Sequence, residues 1–241
     1  MIIAPLKELP LLPPSRYFPP AETAGDEGLL CVGGKLSPAW LLDAYRHGIF
    51  PWPIFPDDRD VAWWSPDPRA IFELGKLRIS RRLWRTCHGD KFTMTCDRDF
   101  AGVMRGCATA QRRRRNTWIT PGIVAGYQRL HERGMAHSVE VWHAGQLAGG
   151  VYGVAIGGLF AGESMFFRVT DASKVALVNL EAHLRARGYL LFDIQQLTPH
   201  TERLGAIEIP RAVYLARLAV AVDAPMTFGS ELVGIAGNEP L

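Results

Sequence analysis

The sequence predicts an α/β (α+β) protein with a mixed β-sheet. It divides into a small N-terminal domain at residues 1–76 and a larger C-terminal domain at residues 77–241. Three observations lead to this prediction. Prolines and aromatic residues crowd the first part of the chain, strand-like and helix-like apolar periods follow one another in the second, and glycines stand at the ends of those periods. Hydrophobic residues make up 48% of the chain, which is enough for a substantial core.

The N-terminal domain is predicted to hold little regular structure. Residues 1–27 are rich in proline and read as an irregular, extended segment. The Ser-Pro pair at 37–38 predicts the start of a helix, which Gly48 ends. Trp63 and Trp64 lie among prolines, and aromatic residues in such a setting either build a small core or form the wall of a cleft that stacks on bases. Both uses stay open.

The C-terminal domain begins with a strongly basic block. Residues 69–115 hold thirteen Lys or Arg against four acids, although the whole chain carries a net charge of only +3. Residues 77–80 are expected to form a short strand, and Ser80 to cap the helix that follows. A basic block on a nearly balanced chain indicates a polyanionic partner, most plausibly nucleic acid. The arginines expected to bind its phosphates are Arg81, Arg82, Arg85, Arg112, Arg113, Arg114 and Arg115. The four consecutive arginines at 112–115 could also form a solvated loop.

The apolar pattern after residue 90 predicts the element order β-α-α-β-β-β-α-β-α. A short strand-like piece at 207–209 precedes the last helix. Asp97 and Thr120 are expected to cap the first two of these helices. Gly157-Gly158 predicts a hairpin turn between apolar runs. Residues 224–241 are expected to form a loose tail.

The most informative stretch is the helix and strand between residues 171 and 195. Asp171 is expected to cap the helix. Asp193 and Gln195 share one face of the strand, with Cα atoms about 6.5 to 7 Å apart because a strand rises about 3.3 Å per residue. Apolar neighbours indicate that both are at least partly buried, and a buried carboxylate is uncommon unless it is paired or functional. The other interpretation is an aspartate at a strand end that hydrogen-bonds a loop.

A mixed sheet with helices on both faces and a hairpin before a helix and another strand matches the acyl-CoA N-acetyltransferase (GNAT-type) architecture. Architecture alone does not fix the chemistry. Acetyltransferases hold pyrophosphate with an Arg/Gln-x-x-Gly-x-Gly/Ala loop before a helix, whereas residues 168–173 read RVTDAS. We therefore expect no coenzyme A and no other cofactor.

Several other classes are excluded. Cys31, Cys87, Cys96 and Cys107 show no CxxC spacing, so they read as reduced thiols of a cytosolic protein and not as a metal site or a disulfide framework. No apolar run approaches the roughly 20 residues of a membrane span. The N-terminus is a poor signal peptide. We expect a cytoplasmic protein without a metal.

Spaced motifs carry a resemblance to one family. They include GLLCVGGKLSPAWLLDAYRHGIFPW (28–52), WWSPDPR (63–69), NTWIT (116–120), GESMFFR (162–168) and FDIQQLTPHTERLGAIEIPR (192–211). Together they resemble the leucyl/phenylalanyl-tRNA–protein transferase family of bacterial N-degron enzymes. The resemblance implies an acetyltransferase-like C-terminal domain. It also implies transfer of Leu or Phe, less well Met, from aminoacyl-tRNA to the α-amine of proteins that begin with Arg or Lys. We expect a monomer.

The resemblance also assigns site residues. Asp193 and Gln195 fall on the family's catalytic D-x-Q pair, and Glu163 falls on the glutamate of its G-E-S-M motif. The family's apolar amino-acid pocket falls on Phe160, Met165, Leu177, Leu180 and Phe192. We add three tryptophans to the substrate-binding set: Trp63, Trp64 and Trp118.

Elementary chemistry agrees with this assignment. The substrate ester is already activated, whereas the attacking amine must be neutral and the developing oxyanion needs a donor. We expect Asp193 to take the proton or to orient Gln195, Gln195 to donate from its amide to the oxyanion, and Glu163 to bind the cationic side chain of an N-terminal Arg or Lys. Two alternatives stay open: an acyl-CoA-dependent N-acyltransferase and a non-catalytic RNA-binding protein.

Overall fold

The computed structural model describes residues 11–54, 60–110 and 117–235. The N-terminal part forms a three-stranded antiparallel sheet in the order β1-β3-β2. Its strands are β1 (Leu29–Val32), β2 (Phe50–Pro51) and β3 (Ala62–Trp64). Helix α1 (Pro38–Arg46) connects β1 to β2 and follows Ser37, as the Ser-Pro pair predicts.

A seven-stranded mixed sheet forms the larger part, in the order β10-β4-β9-β8-β7-β6-β5. Its strands are β4 (Arg69–Phe72), β5 (Thr93–Cys96), β6 (Ala136–His143), β7 (Gln146–Ile156), β8 (Leu159–Phe167), β9 (Leu191–Gln195) and β10 (Ile207–Ile209). The β8–β9 pair is parallel and the other neighbours are antiparallel. The predicted mixed sheet and the hairpin at Gly157-Gly158 are thus confirmed.

Six helices of the described residues accompany this sheet. They are α2 (Arg81–His88), α3 (Phe100–Thr109), α4 (Pro121–His131), α5 (Ala172–Ala186), α6 (Pro199–Arg203) and α7 (Arg211–Ala221). Helices α1, α3, α4 and α7 share one hydrophobic core, whereas α2 and α5 belong to another. The sheet therefore carries helices on both faces, and the predicted α/β class is confirmed.

The parallel pairing of β8 with β9 fixes the position of β9 next to the central strand, β8. Helix α5 joins these two strands and buries a stripe at three- and four-residue spacing, made of Leu177, Leu180, Glu181 and Leu184. In the resulting register Asp193 lies beside Ala161, close to the middle of the sheet. The polar residues of β9 are thus held by strands on both sides.

Two helix caps differ from the sequence predictions. Asp99, and not Asp97, caps α3 by accepting a hydrogen bond from the backbone of Gly102. Asp97 instead has a φ of +56° and accepts from Ser138. Asp171 stands at the cap position of α5, but its carboxylate makes no cap hydrogen bond and pairs with Arg82 at 2.9 Å.

Two segments also differ from expectation. Residues 77–80 form no strand, although the backbone of Arg78 donates to Leu204. The tail predicted to be loose packs back onto the sheet over residues 224–235, because Phe228 is only 3% exposed and stacks on Phe160 with ring centroids 5.7 Å apart. A single buried aromatic side chain at an isolated position gives no periodic signal that the sequence could reveal.

The division at residue 76 stays a prediction. Strand β4, which falls inside the predicted N-terminal domain, pairs with β9 and β10 of the larger sheet. The change from one sheet to the other therefore falls between Trp64 and Arg69. Among the described residues, no helix combines the length and the apolar character that crossing a membrane requires.

Candidate active site

The site is built around Asp193 in the middle of β9. Its side chain is 0% exposed and accepts four hydrogen bonds. Oδ1 accepts from Arg69 Nε at 2.9 Å and from the backbone N–H of Gln195 at 2.9 Å. Oδ2 accepts from Arg69 Nη2 at 2.6 Å and from the Tyr214 hydroxyl at 3.0 Å. Both carboxylate oxygens are thus fully engaged inside the protein.

Arg69 of β4 is the counter-ion that the sequence analysis missed. It is 1% exposed and forms a bidentate salt bridge with Asp193. Its Nη1 donates to the carbonyl oxygen of Gly48 at 2.9 Å. Burial alone lowers the pKa of a guanidinium, but the adjacent Asp193 charge outweighs this and raises the pKa of Arg69. The sequence holds one partial signal, an arginine directly before the apolar residues 70–72, because an arginine that is buried there needs an anionic partner.

Gln195 follows two residues later with an unusual backbone. Its φ is +60°, in the left-handed region that non-glycine residues seldom adopt. The hydrogen bond from its backbone N–H to Asp193 holds this conformation. The Gln195 side chain contacts β8, where Nε2 donates to Glu163 Oε1 at 3.2 Å. The sequence correctly predicts that Asp193 and Gln195 lie close together, but not this turn.

Glu163 of β8 completes the polar cluster and is only partly buried. Its Oε1 accepts from the Tyr45 hydroxyl at 2.7 Å and its Oε2 from the Tyr127 hydroxyl at 3.0 Å. The two hydroxyls also contact each other. Burial raises the pKa of Glu163 to about 7, against the lowering effect of the two tyrosine hydrogen bonds.

The two tyrosines are further residues that sequence reasoning did not single out. Tyr45 lies on α1 and Tyr127 on α4, and both rings are buried. In the sequence each sits on the apolar stripe of an ordinary amphipathic helix, so nothing local separates it from a core residue. Only the packing of both helices against β8 shows that the hydroxyls meet at Glu163.

The predicted amino-acid pocket is a compact cluster in this structure. Its members Phe160, Leu177, Leu180 and Phe192 are buried in the core between the sheet and α5, and Met165 packs against that core. Phe160 contacts Phe192 edge to face, with ring centroids 5.7 Å apart. These side chains come together as predicted, and their role as a pocket stays a proposal.

The tryptophans divide into two groups. Trp63 is 0% exposed and contacts Phe18 and Trp40, so it belongs to the core rather than to a substrate surface. Trp118 stacks on Trp52 with ring centroids 4.9 Å apart and planes at 19°. Trp64 is partly buried and donates from its indole N–H to the carbonyl of Trp52 at 3.0 Å.

Trp52 was not among the predicted residues, although it ends the motif at 28–52. It is the most exposed member of this aromatic group. Its segment follows α1, and that of Trp118 precedes α4. The helices that supply Tyr45 and Tyr127 are therefore flanked by the stacked indoles.

The predicted basic surface is described only in part. Arg81, Arg82 and Arg85 lie exposed on α2, which Ser80 caps as predicted. The run Arg112–Arg115 lies outside the described residues. Arg69 contributes to the charge count of the basic block, but it is buried and cannot contact a phosphate.

Metal and thiol chemistry find little support in the described part of the chain. Within it, no group of three His, Cys, Asp or Glu side chains could hold a metal ion. Burial raises the pKa of both Cys87 and Cys96 to about 11, so these thiols are poor nucleophiles at neutral pH.

Comparison with known families gives two matches in series. The model described as leucyl/phenylalanyl-tRNA protein transferase matches residues 71–219. The model of the N-terminal domain of the same family matches residues 34–67. The boundary between the two matches falls where the chain passes from the small sheet to the large one.

Relatives with the same name match most of the chain. A leucyl/phenylalanyl-tRNA–protein transferase of Solidesulfovibrio magneticus is 54% identical over 205 residues, which cover 85% of this chain and 82% of the relative. A protein of that name from Chromohalobacter salexigens is 50% identical over 222 residues, which cover 91% and 86%.

Similar solved structures are more distant. A ribosomal-protein-alanine N-acetyltransferase from Brucella melitensis is 20% identical with a TM-score of 0.32, covering 46% of this chain and 85% of that structure. A GCN5-related N-acetyltransferase-like protein from Streptococcus suis is 14% identical with a TM-score of 0.33, covering 72% and 65%.

Proposed function

The chain belongs to the leucyl/phenylalanyl-tRNA–protein transferase family, and we propose that it moves Leu or Phe, less well Met, from aminoacyl-tRNA to the α-amine of proteins that begin with Arg or Lys. The reaction forms a peptide bond and marks the acceptor protein for N-degron degradation. No triphosphate is required, because the aminoacyl ester is already activated. The cytoplasm, where aminoacyl-tRNA is made, is the compartment that this substrate requires.

The observation that carries the proposal is the polar cluster of Glu163, Asp193 and Gln195. Aminoacyl transfer to an amine needs a proton acceptor near the nitrogen and a donor near the carbonyl oxygen. Glu163 and Gln195 are 3.2 Å apart and supply one group of each kind. The Gln195 amide carries a second N–H beyond the one bound to Glu163, and we assign oxyanion donation to this second N–H.

Asp193 holds the backbone of Gln195 in place. Its carboxylate fixes the backbone of Gln195 and is itself fixed by Arg69 and Tyr214. A preorganised donor costs no reorganisation when charge develops on the substrate. We assign Asp193 the role of a positioning residue and assign oxyanion donation to Gln195.

The donor amino acid is proposed to enter between β8, β9 and α5. The cluster of Phe160, Leu177, Leu180 and Phe192 is apolar, and each of its members is at most 2% exposed in this structure. A charged side chain would lose its hydration there without compensation, whereas Leu, Phe and Met would not. The exposed arginines of α2 are proposed to bind tRNA phosphates.

The direct test is transfer of radiolabelled leucine from Leu-tRNA to a protein that begins with Arg. We expect labelling of this protein and no labelling of the same protein with an acetylated N-terminus. Gln195→Ala should lower turnover by an amount equal to about 2.7 to 4 kcal/mol of transition-state stabilisation. An RNA-binding protein without activity would label neither acceptor. An acyl-CoA-dependent enzyme would bind coenzyme A tightly in a calorimetric titration.

A further inference from the structure

We propose that Glu163 takes the proton from the acceptor's α-amine, and that Tyr45 and Tyr127 hold its carboxyl group for this step. The inference rests on the proposed function, because it concerns the amine that attacks the aminoacyl ester. It changes the role of Glu163 from the one that the sequence suggests, which is to bind the acceptor's cationic side chain. It also means that Asp193 is not the proton acceptor and only orients Gln195.

Asp193 is poorly placed to receive a proton from a substrate. It is 0% exposed, and each of its oxygens already accepts two hydrogen bonds from protein donors. Taking a proton would require one of these bonds to break. It would also leave the buried charge of Arg69 without its counter-ion, which costs several kcal/mol.

Glu163 differs in the charge of its partners. Its donors Tyr45, Tyr127 and Gln195 are neutral, so a proton on Glu163 leaves none of them as an unpaired cation. As a whole residue, Glu163 is also less buried than Asp193. The neighbouring Gln195 amide lies 3.2 Å from its Oε1, which places the proton acceptor beside the proposed oxyanion donor. An amine that approaches the Gln195-bound ester would therefore come within reach of Glu163.

The tyrosine pair leaves room for one additional proton. Glu163, Tyr45 and Tyr127 make three oxygen–oxygen contacts among themselves. Each hydroxyl has one O–H to donate, so only two of the three contacts can be hydrogen bonds when Glu163 is ionised. The third contact becomes a hydrogen bond when Glu163 carries a proton. Burial raises the pKa values of both tyrosines well above their ordinary range, so they remain protonated.

The electrostatic surroundings match the acidity of the two partners. Burial raises the pKa of Glu163 to about 7, and Asp193 also raises it, while the tyrosine hydrogen bonds and the charge of Arg69 lower it. The α-amine of a protein has a pKa of about 7.7 to 8.0, close to that of Glu163, so the transfer of a proton from the α-ammonium group to Glu163 costs little free energy. A group with a pKa near 7 is also a poor fixed anion for a guanidinium, because it is ionised only about half the time at neutral pH.

The step balances as follows. The α-ammonium group of the acceptor gives one proton to Glu163 and becomes a neutral amine. Its nitrogen lone pair forms a bond to the ester carbonyl carbon, and the carbonyl π pair moves to the oxygen. When this intermediate collapses, the ester C–O bond breaks and its electron pair leaves with the 3′ oxygen of the tRNA. That oxygen takes the second proton lost by nitrogen, and the proton on Glu163 returns to solvent.

The test compares wild type with Glu163→Gln in single-turnover transfer from Leu-tRNA to a peptide that begins with Arg, between about pH 6 and 9.5. With both substrates saturating, we expect a loss of about 100-fold or more at pH 7. The loss should shrink above about pH 8, where the amine becomes neutral without help. A loss that is equal at every pH would overturn the proposal, as would one confined to KM for the peptide. A wild type that transfers nothing would instead refute the proposed function.

Two further comparisons keep the test decisive if Glu163→Gln folds poorly. Tyr127→Phe keeps the ring but removes a hydrogen bond that lowers the Glu163 pKa, so the acidic limb of the rate profile should move to higher pH. An unmoved limb would contradict the proposal. Glu140→Gln is the matched control, because Glu140 is a buried glutamate bound by Ser138 and Thr95 outside the site. Its rate profile should equal that of wild type.

Discussion

Asp193 and Arg69 show, at the scale of single residues, how the site obtains its geometry. Their two-pronged ion pair is buried, and two further donors complete the carboxylate. Neither partner can be removed alone without leaving an unpaired charge inside the protein. The pair therefore fixes Gln195 and cannot easily serve as a proton acceptor.

The first prediction concerns Asp193→Asn, which keeps the shape but removes the charge. It should lower the free energy of unfolding by about 3 to 5 kcal/mol, because Arg69 loses its buried counter-ion. Urea unfolding measures this loss. The control is Asp223→Asn, which breaks an exposed ion pair with Arg46 and should cost about 0 to 1 kcal/mol. Equal and small losses would contradict the buried-pair interpretation.

The second prediction concerns the pH dependence of stability. The pKa of Glu163 in the folded protein is about 7, above its ordinary value of 4.5. Between these two pH values the folded protein keeps a proton on Glu163 that the unfolded chain has lost. The stability that Glu163 contributes is fully present below the ordinary value and is lost as pH rises through 7. The free energy of unfolding of wild type minus that of Glu163→Gln should therefore fall from about pH 4 to pH 8. A constant difference in urea titrations would contradict this.

At the scale of elements, local patterns were sufficient to predict most helices and strands. Helix α5 with its buried stripe, the hairpin at Gly157-Gly158 and the caps at Ser80 and Thr120 all follow from neighbouring residues. The cap at Asp99 was missed because Asp97 offers the same chemistry two residues earlier. Asp97 binds the backbone of β6 instead of the helix, and the local sequence around Asp97 and Asp99 does not show where β6 lies.

The third prediction concerns the basic helix α2. Replacing Arg81 and Arg85 by Ala should raise KM for aminoacyl-tRNA and reduce the slope of log affinity against log salt by about one for each lost phosphate contact. Binding titrations at several salt concentrations measure this slope. The exposed Arg133 at the end of α4 serves as the control, and Arg133→Ala should change neither quantity. An unchanged slope for the double variant would remove α2 from the tRNA surface.

The fourth prediction concerns the proposed pocket between the sheet and α5. Leu180→Ala enlarges this region and should shift the preference from Leu toward Phe, although selection among apolar side chains is expected to be graded. Leu184→Ala is the matched control, since both leucines are 0% exposed on the same helix. Each should cost about 2 to 5 kcal/mol of stability. Competition between Leu-tRNA and Phe-tRNA measures the preference. An equal ratio for both variants would take Leu180 out of the pocket wall.

At the scale of the whole molecule, the site depends on contacts that lie far apart in the chain. Arg69 joins Gly48 of the N-terminal part to Asp193 and Tyr214 of the larger part. Tyr45 and Tyr127 approach Glu163 from helices on one face of the sheet. The sequence could predict Asp193, Gln195 and Glu163 as individual residues. It could not predict their partners, because each partner is set by the packing of a distant element.

The central claim is that the chain joins an aminoacyl group to the α-amine of a protein. The most direct measurement is tandem mass spectrometry of an acceptor protein that begins with Arg, after incubation with Leu-tRNA and the enzyme. The account predicts one added leucyl residue, attached to the N-terminal arginine by a peptide bond. Unmodified acceptor, or leucine found only on lysine side chains, would contradict it.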